Sequence, residues 1–345
     1  MSDFPSVLPD STVPDPRTAP AIRWGVLGPG GIARAFADAV HHNTASRVMA
    51  VGSRSAERAA AFAADFEVPR HYASYEALVA DDGIDAVYVA SPHSEHAAHA
   101  ALALRAGKPV LVEKAFTQNA AQARGLADLA RESGLALMEA MWARFLPQAG
   151  VLRRLLADGA LGTVHTVIAD HGQAFDIGPE HRLLNPQLAG GALLDLGIYP
   201  VSFASFVLGA PDAVTAVGEL TGTGVDGQVS MVLRTGSAHA LLSTTQLART
   251  PTTATVSGDR ARVEFDGSFY APTGYRLVHR DGRVLTGDPG PIRGSHGLAY
   301  EAAHFAAMLA DGLAESPLLP LAETVAIMST LDEVRGRLGV RYPGE

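Results

Sequence analysis

Short apolar runs alternate with alanine-, leucine- and glutamate-rich stretches from residue 21 to about residue 142. The runs at 22–27, 48–52, 86–90, 110–112 and 135–138 predict strands, and the stretches at 56–66, 94–106 and 120–133 predict helices. Strands that are apolar on both faces and separated by helices imply a parallel sheet covered on both sides. After Pro147 the rhythm changes. Residues 151–158 still read as a helix, and then β-rich stretches follow at 163–169, 213–220, 228–234, 238–245, 252–256 and 262–265. Asp226-Gly227, Thr235-Gly236 and Gly258-Asp259 read as turns between them, which predicts an open, mostly antiparallel sheet. Two helices, 298–311 and 321–338, close the chain, with Ser316-Pro317 and Leu319-Pro320 breaking the backbone between them.

The organisation expected is a disordered tail over 1–20, a nucleotide-binding domain over 21–142, and an α+β domain over 143–345 for substrate and self-association. The terminal helices are free to pack back on the first domain. The tail has five prolines and three aspartates but neither the basic start nor the apolar core of a signal peptide. At 345 residues, 47% hydrophobic and 18% charged, the chain can bury two cores. Its net charge of −9 without a basic stretch argues against nucleic acid or an anionic membrane as partner. No run of about 18 apolar residues suggests a bilayer span. Cysteine is absent, which removes disulfides, thiolate metal sites and cysteine nucleophiles, and suits a cytoplasmic setting.

Gly28-Pro29-Gly30-Gly31-Ile32-Ala33 follows the first strand and opens a helix, a G-x-G-x-x-A pattern. Gly28 permits the tight turn, Gly30 lets the backbone approach a pyrophosphate, and Ala33 lets the helix pack close to the strand. The unpaired N–H groups at the helix start then face the phosphates. The fold class expected is therefore α/β: an N-terminal Rossmann domain with a doubly wound parallel sheet, plus the C-terminal α+β domain. An NAD site usually carries a carboxylate at the end of the second strand, to accept from the ribose 2′-OH. Here Gly52-Ser53-Arg54-Ser55 stands there, with Arg58 a turn later. A guanidinium binds a 2′-phosphate that a carboxylate would repel, so NADP is favoured over NAD. The competing reading leaves both arginines solvated at a helix start.

Glu113-Lys114-Ala115 ends a strand with a lysine at its carboxyl edge, where ligands bind in open α/β sheets. Far along the chain, a helix beginning after Gly190-Gly191 would set Asp195 and Tyr199 four apart on one face. These three residues supply a cation, an orienting carboxylate and a phenol able to pass a proton. With these motifs, Ser91-Pro92-His93-x-x-His96, Met138-Glu139-Ala140-Met141-Trp142-x-Arg144-Phe145, Ile327-Met328-x-Thr330-Leu331-Asp332 and Arg341-Tyr342-Pro343-Gly344-Glu345 complete a pattern. From Ile22 onward the sequence resembles the glucose–fructose oxidoreductase / inositol dehydrogenase (Gfo/Idh/MocA) family, within it the branch of dihydrodiol dehydrogenase and NADP-dependent xylose dehydrogenase.

The resemblance implies an oxidoreductase acting on CH–OH groups of a sugar, polyol or cyclic diol. Lys114 would touch the reacting hydroxyl and the nicotinamide ribose, Asp195 would orient substrate, and Tyr199 would stand where the family places its acid/base. Ser91, Pro92, His93 and His96, with Glu113, would border the nicotinamide and its ribose, and Trp142 and Arg144 would line the cofactor and substrate. Arg182, in the loop before the glycine pair, is a further substrate candidate. A homodimer or higher homo-oligomer is expected by the same analogy. The family usually has proline after the lysine; Ala115 departs from that and puts the placement of Lys114 in question. Free tyrosine, with a pKa near ~10, is a poor base at neutral pH, and a nearby ammonium would lower it. Either Lys114 or Tyr199 remains open as the direct proton acceptor. His93, His96 and His99 have the spacing of one helical face, but no carboxylate or cysteine joins them, and no metal is expected. Two other readings stand beside the enzyme: an NADP(H)-sensing regulator without turnover, and a structural protein keeping a disused fold.

Overall fold

The computed structural model describes residues 4–345. In chain order it runs β1 (Arg23–Leu27), α1 (Gly31–Asn43), β2 (Arg47–Gly52), α2 (Ala56–Asp65), β3 (Arg70–Tyr72), α3 (Tyr75–Val79), β4 (Ala86–Val89) and α4 (His96–Arg105). Next come β5 (Val110–Glu113), α5 (Ala120–Ser133), β6 (Leu137–Ala140), α6 (Pro147–Ala157), β7 (Val164–Gly172), a π-helical turn at Leu193–Gly197, and α7 (Ile198–Leu208). The strands β8 (Ala213–Leu220), β9 (Asp226–Thr235), β10 (Ala238–Thr245), β11 (Ala254–Gly258), β12 (Ala261–Phe265), β13 (Tyr275–His279) and β14 (Val284–Gly287) follow, and then α8 (Leu298–Ala310) and α9 (Leu321–Leu338). The chain divides into two compact units, one of residues 14–142 and 294–325, the other of residues 4–13, 143–293 and 326–345.

The first unit holds a parallel sheet in the order β3-β2-β1-β4-β5-β6. The order reverses between β1 and β4, which leaves a crevice beyond their carboxyl ends. Trp24 of β1 is fully buried, edge-on to Phe36 at 5.3 Å and beside Phe305 of α8 at 5.5 Å. This packing sets residues 294–325 in one unit with the parallel sheet, the packing back of a terminal helix that the sequence left open. Helix α5 has the bounds that its caps dictate: the Asn119 side chain accepts from the Gln122 N–H, and Gly134 takes the left-handed conformation at φ 65°.

Glu113, Glu139 and Glu301 are buried together in this unit, and Glu301 is completely inaccessible with both carboxylate oxygens unpartnered. Burial first, then the charges of Glu113 and Glu139, hold its carboxyl well above the ordinary range. A carboxyl whose folded pKa exceeds its unfolded value penalises folding as pH rises from the unfolded value towards the folded one. Glu301→Gln should therefore melt above the parent at alkaline pH, with the gap closing as pH falls to the ordinary glutamate range. A gap that stays constant with pH in thermal unfolding would show that Glu301 is not held protonated.

The second unit is built on an eight-stranded sheet in the order β14-β13-β12-β11-β7-β10-β9-β8, antiparallel except where β10 runs parallel to β7. One face alternates into the core through Val167, Ala169, Ala240, Leu242, Met231 and Leu233. On the other face Ile168, Leu241 and Val232 stand side by side across three strands and are exposed. Asp226-Gly227, expected in a turn, instead begins β9, and Asp226 is wholly buried; the chain turns earlier, where the Thr221 N–H donates to Val225 O. The tail over 1–20 was expected to be mobile. Its first three residues lie outside the described residues, but Ser11 Oγ donates to Pro147 O at 2.9 Å in this unit. Pro16, in a 3₁₀ turn at Pro16–Thr18, is buried in the first unit. Against the expectation of no such run, the stretch Pro186–Leu208 is long and apolar enough by composition to cross a membrane, but 72% of its apolar 18-residue window is buried inside the protein, as in a core helix.

Candidate functional site

At the carboxyl edge of the parallel sheet, Gly28 adopts φ 97°, and a Cβ there would sit 3.0 Å from Ala90 O. The turn therefore requires glycine. Gly30 is the N-cap of α1 and supplies no side-chain cap, and the first turn carries no acidic residue. Gly31 and Ile32 are exposed, and a Cβ on Gly31 would meet nothing within 4 Å, while Ala33 is buried against the sheet. Open N–H groups at the start of a 13-residue helix, with room above them and no competing carboxylate, fit a pyrophosphate. Pro29 completes the loop, half-buried.

At the end of β2, Ser53 is buried and its Oγ accepts from the Ser55 N–H at 3.1 Å. Ser55 caps α2 by accepting from the Arg58 N–H, which leaves the Arg54 and Arg58 side chains exposed at the crevice edge. The Arg54 charge reaches His99, whose pKa is lowered by burial first and by that charge in addition. His99 Nδ1 faces Ser91 Oγ at 2.9 Å, and its ring meets Tyr75 edge-on at 4.5 Å. Ser91, His99 and Tyr75 thus pack against one another beside the loop after β4.

Lys114 follows β5 half-buried, and the Lys114–Ala115 peptide is cis. Glu113 behind it holds the Lys114 N–H through Oε2 at 3.1 Å and accepts from Tyr88 Oη through Oε1. This carboxylate fixes the peptide that carries the lysine. His96 Nδ1 faces Ala115 O and its Nε2 faces Ser91 O, both at 2.8 Å. Two carbonyls would favour the imidazolium, but complete burial outweighs them and, helped by the Lys114 charge, lowers the pKa to about 4. The ring lies between the Ser91 loop and the Lys114 segment; when neutral it donates to one of the two carbonyls, and only the protonated ring donates to both. Pro92 caps the 3₁₀ turn at His93–Glu95, and the His93 ring meets His96 edge-on at 5.6 Å. Trp142 lies nearly buried just beyond β6.

In the second unit, the π-helical turn and α7 place Asp195 and Tyr199 on a continuous helical stretch, each 8% exposed. Arg182 Nη1 approaches Asp195 Oδ1 at 3.3 Å, with Asp195 largely buried and Arg182 half-exposed. The Tyr199 ring stacks on Tyr270 at 4.4 Å, and His171 lies 5.4 Å from Tyr199 and 4.5 Å from Tyr270. His171 Nδ1 faces Leu196 O at 3.2 Å, and the Gln173 amide faces its Nε2 at 3.0 Å. That pattern suits a neutral ring protonated on Nδ1. Burial, with Asp195 adding to it, raises the Tyr270 pKa. His171, Gln173 and Tyr270 were not found from the sequence, because sheet register and a loop bring them beside Tyr199 rather than any spacing. Arg144, buried in this unit, donates to Ser202 O at 3.1 Å and lies 4.6 Å over the Phe206 ring, so one of its roles is to brace α7.

Among the described residues, Asp38, His42 and His296 have metal-like spacing. His296 Nε2 faces Asp38 Oδ2 at 2.9 Å while its Nδ1 faces the Asn43 amide, and His42 Nδ1 faces Asp38 O at 2.9 Å. These are the contacts of protonated ring nitrogens donating to an aspartate and a carbonyl.

Comparison with known proteins adds to this geometry. Residues 22–141 match the family described as an oxidoreductase family with an NAD-binding Rossmann fold, and residues 151–264 match the GFO/IDH/MocA C-terminal domain. The chain is 39% identical over 334 residues to trans-1,2-dihydrobenzene-1,2-diol dehydrogenase of Mus musculus, covering 94% of this chain and 98% of that protein. It is 37% identical to the NADP-dependent D-xylose 1-dehydrogenase of Hypocrea jecorina, covering 93% of each. Among solved structures, a 3-ketoreductase from Actinomadura kijaniata in complex with NADP and TDP-benzene superposes with TM-score 0.79 at 28% identity, over 92% of this chain and 98% of that one. An aldose–aldose oxidoreductase from Caulobacter crescentus complexed with glycerol gives TM-score 0.83 at 25% identity, over 92% and 97%.

Proposed function

Because the chain belongs to the GFO/IDH/MocA family of oxidoreductases, we propose that it transfers a hydride between NADP(H) and a secondary or anomeric hydroxyl of a sugar, polyol or cyclic diol. The observation that carries this reading is the pairing of chemistries: a lysine held at the carboxyl edge of a dinucleotide sheet, and a carboxylate and a phenol on one helical stretch. When bound, the nicotinamide supplies the hydride acceptor or donor. Lys114 and Tyr199 act on the substrate hydroxyl, and one of them takes its proton on oxidation and returns it on reduction. The ammonium stabilises the alkoxide as it forms, and also stabilises tyrosinate if the phenol is the carrier. Asp195, braced by Arg182, accepts from a neighbouring hydroxyl and fixes which carbon is presented. The stacked Tyr199 and Tyr270 rings, with His171 beside them, offer a flat wall to the C–H face of a pyranose or cyclic diol.

NADP is assigned because β2 is followed by Ser53 and Arg54 with no carboxylate at the ribose position, and because the relatives include an NADP-dependent xylose dehydrogenase. Trp142 and Arg144 complete the lining. A second copy of the chain is expected to cover the exposed Ile168, Leu241 and Val232 row by bringing the same row against it, and light scattering should read a dimer or larger. The test of function is a panel of pyranoses, polyols and trans-cyclic diols with NADP and with NAD, followed by the absorbance of the reduced nicotinamide. Turnover with NADP on at least one hydroxyl substrate is expected. Tight NADPH binding with no turnover across the panel would favour a cofactor-sensing role instead.

A further inference from the structure

The helical stretch that carries Asp195 and Tyr199 begins with no cap of its own, since Ala192 supplies no side-chain bond to it. Its first amides are met from elsewhere in the unit. Asp226, at the start of β9, is fully buried, and its Oδ2 accepts the Leu193 N–H at 2.6 Å. Its Oδ1 makes no hydrogen bond and lies against Gly191, where any Cβ would collide with it. Gly191 holds φ 122°, and its N–H donates to Leu183 O at 2.9 Å. One residue earlier, Gly190 O accepts from Tyr342 Oη at 2.6 Å. Tyr342 is itself held: its ring lies 4.6 Å from the Arg335 guanidinium, which pairs with Asp332 at 2.7 Å and Glu345 at 2.8 Å.

We propose that Asp226 and Tyr342 are positioning residues for the substrate side chains, together fixing the start of the π-helical turn that carries Asp195 and, one turn on, Tyr199. The inference rests on the proposed function only for the word substrate; the mechanical claim concerns the turn itself. A carboxylate at the start of a helix both accepts its orphan amides and opposes the positive end of its dipole. A one-turn π segment positions side chains differently from a regular α-helix, so it needs anchors at its start to keep its register.

The charge on Asp226 makes this anchor sensitive to pH. Burial raises its pKa to about 7, against the opposing pull of the Leu193, Asp226 and Ala192 amides and the Arg335 charge. Ala192, Leu193 and Asp226 itself present amides to the carboxylate, Gln246 donates a neutral amide to Asp226 O, and α9 and the segment after it bring Arg335 and Tyr342, with Asp332 and Glu345 behind them. Opening the turn rehydrates Asp226 and returns its carboxyl to the ordinary range, so as pH rises towards neutrality ionisation favours the opened turn over the closed one. The turn is therefore tightest on the acid side, where Asp226 is neutral and its Oδ2 still accepts the Leu193 N–H.

Hydrogen–deuterium exchange of peptides covering residues 190–199, corrected for the intrinsic pH dependence of exchange, tests this without any substrate. In the full-length parent, protection of these amides should fall by roughly fivefold or more as pH rises from about 5 to about 7 and then level off, because the opened turn ionises Asp226 before the closed one does. Peptides from the parallel sheet should show no such step. Asp226→Asn should flatten the step, and Tyr342→Phe should lower protection at every pH while keeping it. In turnover, kcat/KM should follow the same step in the parent and lose it in Asp226→Asn, with NADPH affinity unchanged. A step that persists in Asp226→Asn, or a parent with no step, would overturn the proposal. A parent with the step but no turnover on any hydroxyl substrate would instead remove the proposed function and leave the anchor standing.

Discussion

Lys114→Met is expected to lower kcat/KM by about 10²- to 10⁴-fold, the range that a positioned proton-transfer group supplies. NADPH affinity should change far less, because on the proposed function the Gly28–Ala33 loop and the start of α1, rather than this side chain, would hold the pyrophosphate. The Lys114 backbone is fixed from behind by Glu113, so a linear apolar replacement should leave the strand end intact. Lys114→Arg then separates the two mechanisms left open by the sequence. A guanidinium keeps the charge but does not give up a proton at accessible pH. If Tyr199 carries the proton and Lys114 only stabilises charge, the arginine variant should recover part of the lost rate. If Lys114 itself is the acceptor, arginine should be no better than methionine. Steady-state kinetics across pH, with NADPH binding measured by fluorescence, decide it. Parental activity in Lys114→Met would take the lysine out of the chemistry.

Arg54→Ala is expected to raise the dissociation constant for NADP by about 10- to 100-fold, the worth of one or two charge-assisted bonds to a 2′-phosphate. Arg58→Ala should have a smaller effect in the same direction, since it stands one turn into α2 with Glu57 beside it. Binding of NAD should be nearly unaffected by either change, because the adenosine 2′-OH carries no charge for them to meet. Arg54→Asp should go further, repelling the phosphate while offering the 2′-OH an acceptor, and so move the preference towards NAD. Titration of each variant with both nucleotides measures this directly. Equal losses for NAD and NADP would mean that Arg54 supports the crevice generally and reads no phosphate.

Much of the architecture was legible because local rules and tertiary packing agreed. The stretches expected at 120–133, 213–220, 238–245 and 321–338 coincide with α5, β8, β10 and α9, where composition and the flanking breakers agree with the packing. The strand β3 was missed because Arg70-His71-Tyr72 has no apolar alternation at all. For β13 the signal was there: Tyr275 and Leu277 are buried around exposed Arg276, a period-two pattern shortened by the turns on either side. Asp226-Gly227 was read as a turn because that pair favours turns when exposed. Its burial depends on the amides of the distant π-helical segment, and no local propensity encodes that.

The sequence by itself determined the dinucleotide loop, the strand-edge lysine and the carboxylate–phenol pair, because each is a short stretch whose chemistry needs particular residues at short spacing. Tertiary structure alone decided that His171, Gln173 and Tyr270 join Tyr199, that Glu301 is buried near Glu113 and Glu139, and that Asp226 and Tyr342 anchor the turn bearing Asp195. Those groupings arise from sheet register and helix docking between segments dozens of residues apart. Burial and pairing, which set their charge states, exist only once the chain is packed.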